Sequence, residues 1–79
     1  MDQLRLKSVL LELGYTEDEL RLDQAEGKVG GVVVSRRFAG RSQEQRQEDL
    51  WSALEERMNP EELQDIVALM TMTPEEIAA

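Results

Sequence analysis

Ile66-Val67-Ala68-Leu69-Met70-Thr71-Met72-Thr73 is the stretch on which the fold turns, because its apolar spacing fits two kinds of secondary structure. With Leu63 upstream, the positions Ile66, Val67 and Met70 make a helical stripe. As an extended run, Val67, Leu69 and Thr71 take one side, and Ile66, Ala68, Met70 and Met72 take the other. Propensity leans to helix, and periodicity alone leaves both readings open. The argument for a strand comes from what precedes it. Leu20, Leu22 and Gln24 alternate with Arg21, Asp23 and Ala25, and Ala25-Glu26-Gly27-Lys28 reads as a turn. The valine-rich run Val29–Ser35 follows, so two strands make a hairpin. An isolated two-stranded hairpin is marginal in water, and a third strand is what it lacks. Gly30 and Gly31 predict an irregular start to the second strand.

On the N-terminal side, Leu6, Leu10 and Leu13 recur at helical spacing with Val9 beside them, between Asp2 as cap and Gly14 as stop, over about residues 3–13. Between the hairpin and the undecided stretch, Phe38 sits in a loop placed to plug the core. Ser42-Gln43-Glu44-Gln45 has the capping-box pattern, in which two side chains satisfy each other's orphan amides. The helix it opens carries Leu50, Trp51, Leu54 and Met58 on one face and stops at Asn59-Pro60. Trp51 is expected to anchor the core or a groove. Asn59-Pro60-Glu61-Glu62-Leu63 and Thr73-Pro74-Glu75-Glu76-Ile77 repeat one design, a cap, a proline at the first helical position and glutamates facing the positive end of the dipole, so both begin short helices.

The 79 residues allow a single domain over 1–79, and a chain this short buries only about 60% of its unfolded surface, leaving few apolar side chains for a ligand pocket. Cysteine and histidine are both absent, which removes disulfides, thiol nucleophiles, imidazole bases and every Cys or His metal site. Paired glutamates such as Glu61-Glu62 and Glu75-Glu76 have no partner nucleophile, so the expectation is a protein without enzymatic activity, cofactor or small-molecule substrate. No apolar run reaches the roughly 18 residues of a membrane span, and the start lacks the order of a secretory signal, so a cytoplasmic location is expected.

The net charge of -8 is unevenly spread. Residues 27–47 carry five bases, Lys28, Arg36, Arg37, Arg41 and Arg46, against the single acid Glu44, whereas residues 48–79 carry nine acids against one base. An acidic protein is repelled by nucleic acid and by anionic membranes, yet a local basic island can still act. These five residues are therefore the candidate partner-binding or nucleic-acid-binding site, the arginines as phosphate contacts; the alternative is that they pair with the chain's own carboxylates. Gly27-Lys28-Val29-Gly30 matches the GxxG of KH domains, but that loop joins two helices and this one leads into a strand.

The residues Val32-Val33-Val34-Ser35, Phe38, Gly40, Ser42, Arg46, Leu50-Trp51, Leu54, Leu69 and Thr73-Pro74-Glu75 together resemble the BolA family, over about residues 4–77. The resemblance implies an α+β fold of order α-β-β-α-α-β, with a three-stranded mixed sheet covered by helices, related to the type II KH fold. It assigns about Asp65–Met72 to the third strand. It also implies a partner of monothiol glutaredoxins in iron–sulfur or stress-related regulation, or a DNA-binding transcriptional regulator. In that family a histidine at the start of the third strand ligates a shared [2Fe-2S] cluster. Here that position falls on Asp65, the helix position after the arginine is Gln47, and the hairpin turn is only Glu26-Gly27-Lys28. A carboxylate does not reproduce an imidazole–iron bond, so direct cluster ligation is expected to be reduced or absent.

Overall fold

A computed structural model describes residues 1–79, and its elements are α1 (Gln3–Glu12), β1 (Leu20–Ala25), β2 (Lys28–Val34), α2 (Gln43–Glu55), α3 (Pro60–Gln64), β3 (Ile66–Met72) and α4 (Pro74–Ala78). β1 and β2 are joined by a two-residue turn in which Glu26 and Gly27 both have positive φ, 51° and 79°, the backbone that matches the twist of paired strands. Antiparallel pairing runs from Leu20 opposite Val33 to Ala25 opposite Lys28. β3 then joins the other side of β2 in parallel, so the sheet is mixed and its order is β1-β2-β3. The fold is α+β, with the strand reading of residues 66–72 realised.

The expected alternation within that strand is corrected at its start. Val29 lies opposite Ile66 but Gly30 lies opposite Ala68, so Val67 is an extra residue bulged out of the pairing. The bulge reverses the side-chain parity. Ile66 joins Leu69 and Thr71 inside, while Val67 is 68% exposed. The irregularity expected from the glycine pair is present at Val29–Gly30, and its extra residue sits on β3.

The strand registers place Leu20, Leu22, Val29, Val33, Ile66, Leu69 and Thr71 on one face of the sheet. α1 brings Leu6, Val9 and Leu10 to this face and α2 brings Leu50 and Leu54, with Phe38, Tyr15 and Met58 closing the core. Burying a side chain of this size stabilises by about 1.5–3 kcal/mol. The opposite face, with Arg21, Asp23, Ala68 and Met70, carries no helix-borne core residue and is exposed at each of these positions.

Every helix start is capped as the sequence requires. Asp2 accepts from the Leu4 amide, and reciprocal capping boxes form at Ser42/Gln45, Asn59/Glu62 and Thr73/Glu76. No helix is long and apolar enough to cross a membrane.

Candidate functional site

The five basic residues separate into two groups at opposite ends of β2. Lys28 begins that strand and Arg36 follows its end, so the seven-residue length of β2 holds them about 20 Å apart. The sequence island is not one patch.

At the arginine end, Ser35 is buried and its Oγ accepts from the Arg37 amide at 3.3 Å, fixing a tight turn over Arg36–Phe38. That turn drives Phe38 into the core, 6.0 Å from the Tyr15 ring. Arg37 lies over the other aromatic, its guanidinium carbon 3.8 Å from the Tyr15 centroid, and donates to the Leu13 carbonyl at 3.3 Å. Burial raises the Tyr15 pKa, opposed by the Arg37 charge. Arg41 pairs with Asp49 across the start of α2. Tyr15, Arg37, Phe38, Arg41, Arg46 and Asp49 contribute to a pocket of about 200 Å³.

Arg46 differs from the others. Only 5% exposed, it donates to the Arg41 carbonyl at 3.0 Å, to the Thr71 carbonyl at 3.3 Å, and to both carboxylate oxygens of Glu76 at 2.7 and 3.1 Å. Its hydrogen bonds, joined by one from the Thr73 amide, hold the Glu76 carboxyl down at about 2. Arg46 therefore ties α2, β3 and α4 together, and its donors are spent inside the protein. Arg36 is exposed and enters none of the ion pairs, and Arg37 lies over an aromatic ring and donates to a carbonyl, with no salt bridge although its charge helps to lower the Glu19 pKa. Of the arginines expected to meet phosphate, these two have charge left for a partner.

At the hairpin end, Asp65 caps α3 and precedes β3. One oxygen accepts from the Met1 amine at 2.9 Å and the other from Lys28 Nζ at 3.3 Å, and these two cations, the amine first, lower its pKa. The Met1 amine also donates to the Gly27 carbonyl at 2.7 Å. Asp65 is thus a structural clasp between the chain start, the hairpin turn and β3. No group of three or more acidic side chains converges anywhere in the fold as a metal site would need.

Sequence reasoning did not single out the free edge of β3. There Gln43, Gln47 and Trp51, spaced at i, i+4 and i+8, form one row along α2 beside the buried stripe. Gln47 Nε2 donates to the Leu69 carbonyl at 2.8 Å, Gln43 Nε2 to the Thr71 carbonyl at 3.0 Å, and the Trp51 indole to Gln47 Oε1 at 3.0 Å. Beside them runs an open groove of about 620 Å³. The available signal was a row of amides next to a helical apolar stripe, at the place where an edge strand exposes its backbone.

No protein-family model, curated protein or solved structure matches this chain.

Proposed function

We propose that the chain is a non-enzymatic adaptor of the BolA-like type, KH-related in fold, that binds a protein partner, with a monothiol glutaredoxin the first candidate. The observation that carries this reading is that the motif residues have interlocking duties in a domain of the implied element order. Ser35 fixes the turn that places Phe38, Ser42 caps α2, and Arg46 reaches from α2 to the Thr73-Pro74-Glu75 segment through Glu76. A set of residues so coupled has a physical reason to occur together, since each is useful only if the others are present. The position of the family's iron-linked histidine is taken by Asp65, whose two oxygens are already held by Met1 and Lys28. Partner binding in this reading rests on surface complementarity and not on a metal bond.

The test is a titration of isotopically labelled protein with a monothiol glutaredoxin, first without and then with its iron–sulfur cluster. The reading expects chemical-shift changes in both and a visible spectrum that Asp65→Ala leaves unaltered. Absence of any shift change removes the glutaredoxin assignment, and loss of a cluster signal in Asp65→Ala removes the claim that ligation is not needed.

A second reading is favoured by Arg36 and Arg37, which enter no salt bridge. It is a nucleic-acid-binding transcriptional regulator whose phosphate contacts come from these two side chains, working against a net charge of -8.

A further inference from the structure

A parallel edge strand offers alternate residues outward, and each such residue turns both its N–H and its C=O to the same side. The Ser35 amide donates to the Met72 carbonyl at 2.8 Å, so Met72 faces β2, and Leu69 and Thr71 face away from it. Their carbonyls meet the amide groups of Gln47 and Gln43. Gln43 Oε1 in turn accepts from the Thr71 hydroxyl at 2.8 Å, and Gln47 Oε1 from the Trp51 indole. Two primary amides therefore stand where the peptide groups of a neighbouring strand would stand, each using both its donor and its acceptor. They hold the carbonyls of Leu69 and Thr71, the latter shared with Arg46, and leave the matching N–H groups on the groove side without a side-chain acceptor. Next to them Val67 is 68% and Met70 56% exposed and Trp51 is half-buried, so three large apolar side chains share the groove.

The unpaired charges along the α2 side of the groove have one sign. Glu44 and Glu48 occupy the helical row one step outward from Gln43 and Gln47, and Glu55 follows Trp51 one turn further along the row of Gln43 and Gln47 itself; all three are exposed, and none enters an ion pair. No lysine or arginine lines the groove, and Arg46 beneath it is neutralised by Glu76. A second copy of the chain would bring glutamates against glutamates and -8 against -8.

We propose that the free edge of β3 takes an extended, positively charged, apolar-studded segment of a partner protein as a fourth strand, with Gln43 and Gln47 yielding the Leu69 and Thr71 carbonyls to the incoming backbone. The segment supplies acceptors for the N–H groups of Leu69 and Thr71, covers Val67, Met70 and Trp51, and sets its basic side chains against Glu44, Glu48 and Glu55. Backbone pairing fixes the direction and the glutamates choose the sign of the partner. This goes beyond the adaptor reading, because it states a chemistry of recognition that does not require the partner to be a glutaredoxin.

The probe is a capped heptapeptide of alternating lysine and valine, matched to the seven residues of β3, titrated into the intact protein. Binding is followed by Trp51 emission and by the amide signals of Leu69 and Thr71. The expected result is a saturable change that weakens with salt, slowed exchange at those two amides, and about tenfold weaker binding to the Glu44→Gln/Glu48→Gln/Glu55→Gln variant, whose fold is checked by circular dichroism. A glutamate–valine peptide binding equally well would overturn the charge argument. A backbone N-methylated lysine–valine peptide binding equally well would overturn the fourth-strand geometry, and self-association in place of peptide binding would overturn the choice of occupant. Glutaredoxin binding without peptide binding removes the groove and keeps the adaptor; peptide binding without glutaredoxin binding does the reverse.

Discussion

Of the five glycines, Gly31 leaves the least room for an added Cβ. Gly31 pairs with Leu22 in the middle of the hairpin and has φ of +153°, outside the region an L side chain adopts at ease. A Cβ there would lie 2.1 Å from the Arg21 carbonyl oxygen and 2.9 Å from Leu22 Cα, where ordinary contact begins at 3.4 Å. Both obstacles are backbone, so relief requires β1 to retreat by about 1.3 Å and abandon its central pairing. Backbone strain of about 1–2 kcal/mol and overpacking of about 1–3 kcal/mol give Gly31→Ala a loss of about 2–5 kcal/mol. A chain of 79 residues has only about 4–12 kcal/mol in total. Gly40 supplies the control, because its φ is +75° but nothing lies within 4 Å of an added Cβ, so Gly40→Ala costs about 1 kcal/mol of strain alone. Urea unfolding followed by Trp51 fluorescence reads both. With a slope of about 1 kcal/mol per molar, the midpoint falls by about 2–5 M for Gly31→Ala and about 1 M for Gly40→Ala. A Gly31→Ala protein no less stable than Gly40→Ala would show that β1 does not pack on β2 as described.

Acid should weaken the fold through carboxylates held in their charged form. Glu76 sits at about 2 against an ordinary 4.5, and Asp65 and Glu62 are lowered by Met1 and Arg5 respectively, so their stabilisation is complete above their unfolded values and is lost as pH falls from about 4.5 towards 2. Thermal melts across that window should show the loss, with a shallower slope in Glu76→Gln; an equal slope in that variant would free Glu76 of the role. Asn59→Ala removes the acceptor for the Glu62 amide at 2.9 Å and should cost about 1–2 kcal/mol in a denaturant melt, whereas an unchanged midpoint would mean that α3 holds without its cap. If nucleic acid is the partner, Arg36→Gln/Arg37→Gln should flatten the logarithmic salt slope of binding by about 2, since each lost phosphate contact removes about 0.9. A slope that falls equally in Arg41→Gln would contradict the pairing of Arg41 with Asp49.

The caps, the prolines and the hairpin turn are local chemistry, which is why Ser42, Asn59, Thr73 and Glu26-Gly27 could be read with no knowledge of the rest. The third strand could not be, because the bulge at Val67 buries Ile66 and Leu69 three residues apart and so imitates the spacing of a helix. The charge island had the same difficulty in another form. Lys28 and the arginines are near in sequence but lie at opposite ends of an extended strand, and Arg46 finds Glu76 thirty positions away. Such pairings are set by topology, which a charge count along the chain does not see. The bonds of Gln43 and Gln47 to β3 are not legible in the sequence, because an amide is silent until the backbone it faces is known.

The parallel joining of β2 to β3 also orders events in time. The hairpin closes over two residues, whereas the crossover must bring Ile66 back to Val29 through α2 and α3. Closing so much longer a loop costs about 2 kcal/mol more in chain entropy. On that cost the local pieces are expected to form first and the returning strand last. In that order the valine-rich β2 would stand as an unguarded template until β3 returns, so the speed of the last closure would set how long the molecule is exposed to pairing with the wrong neighbour.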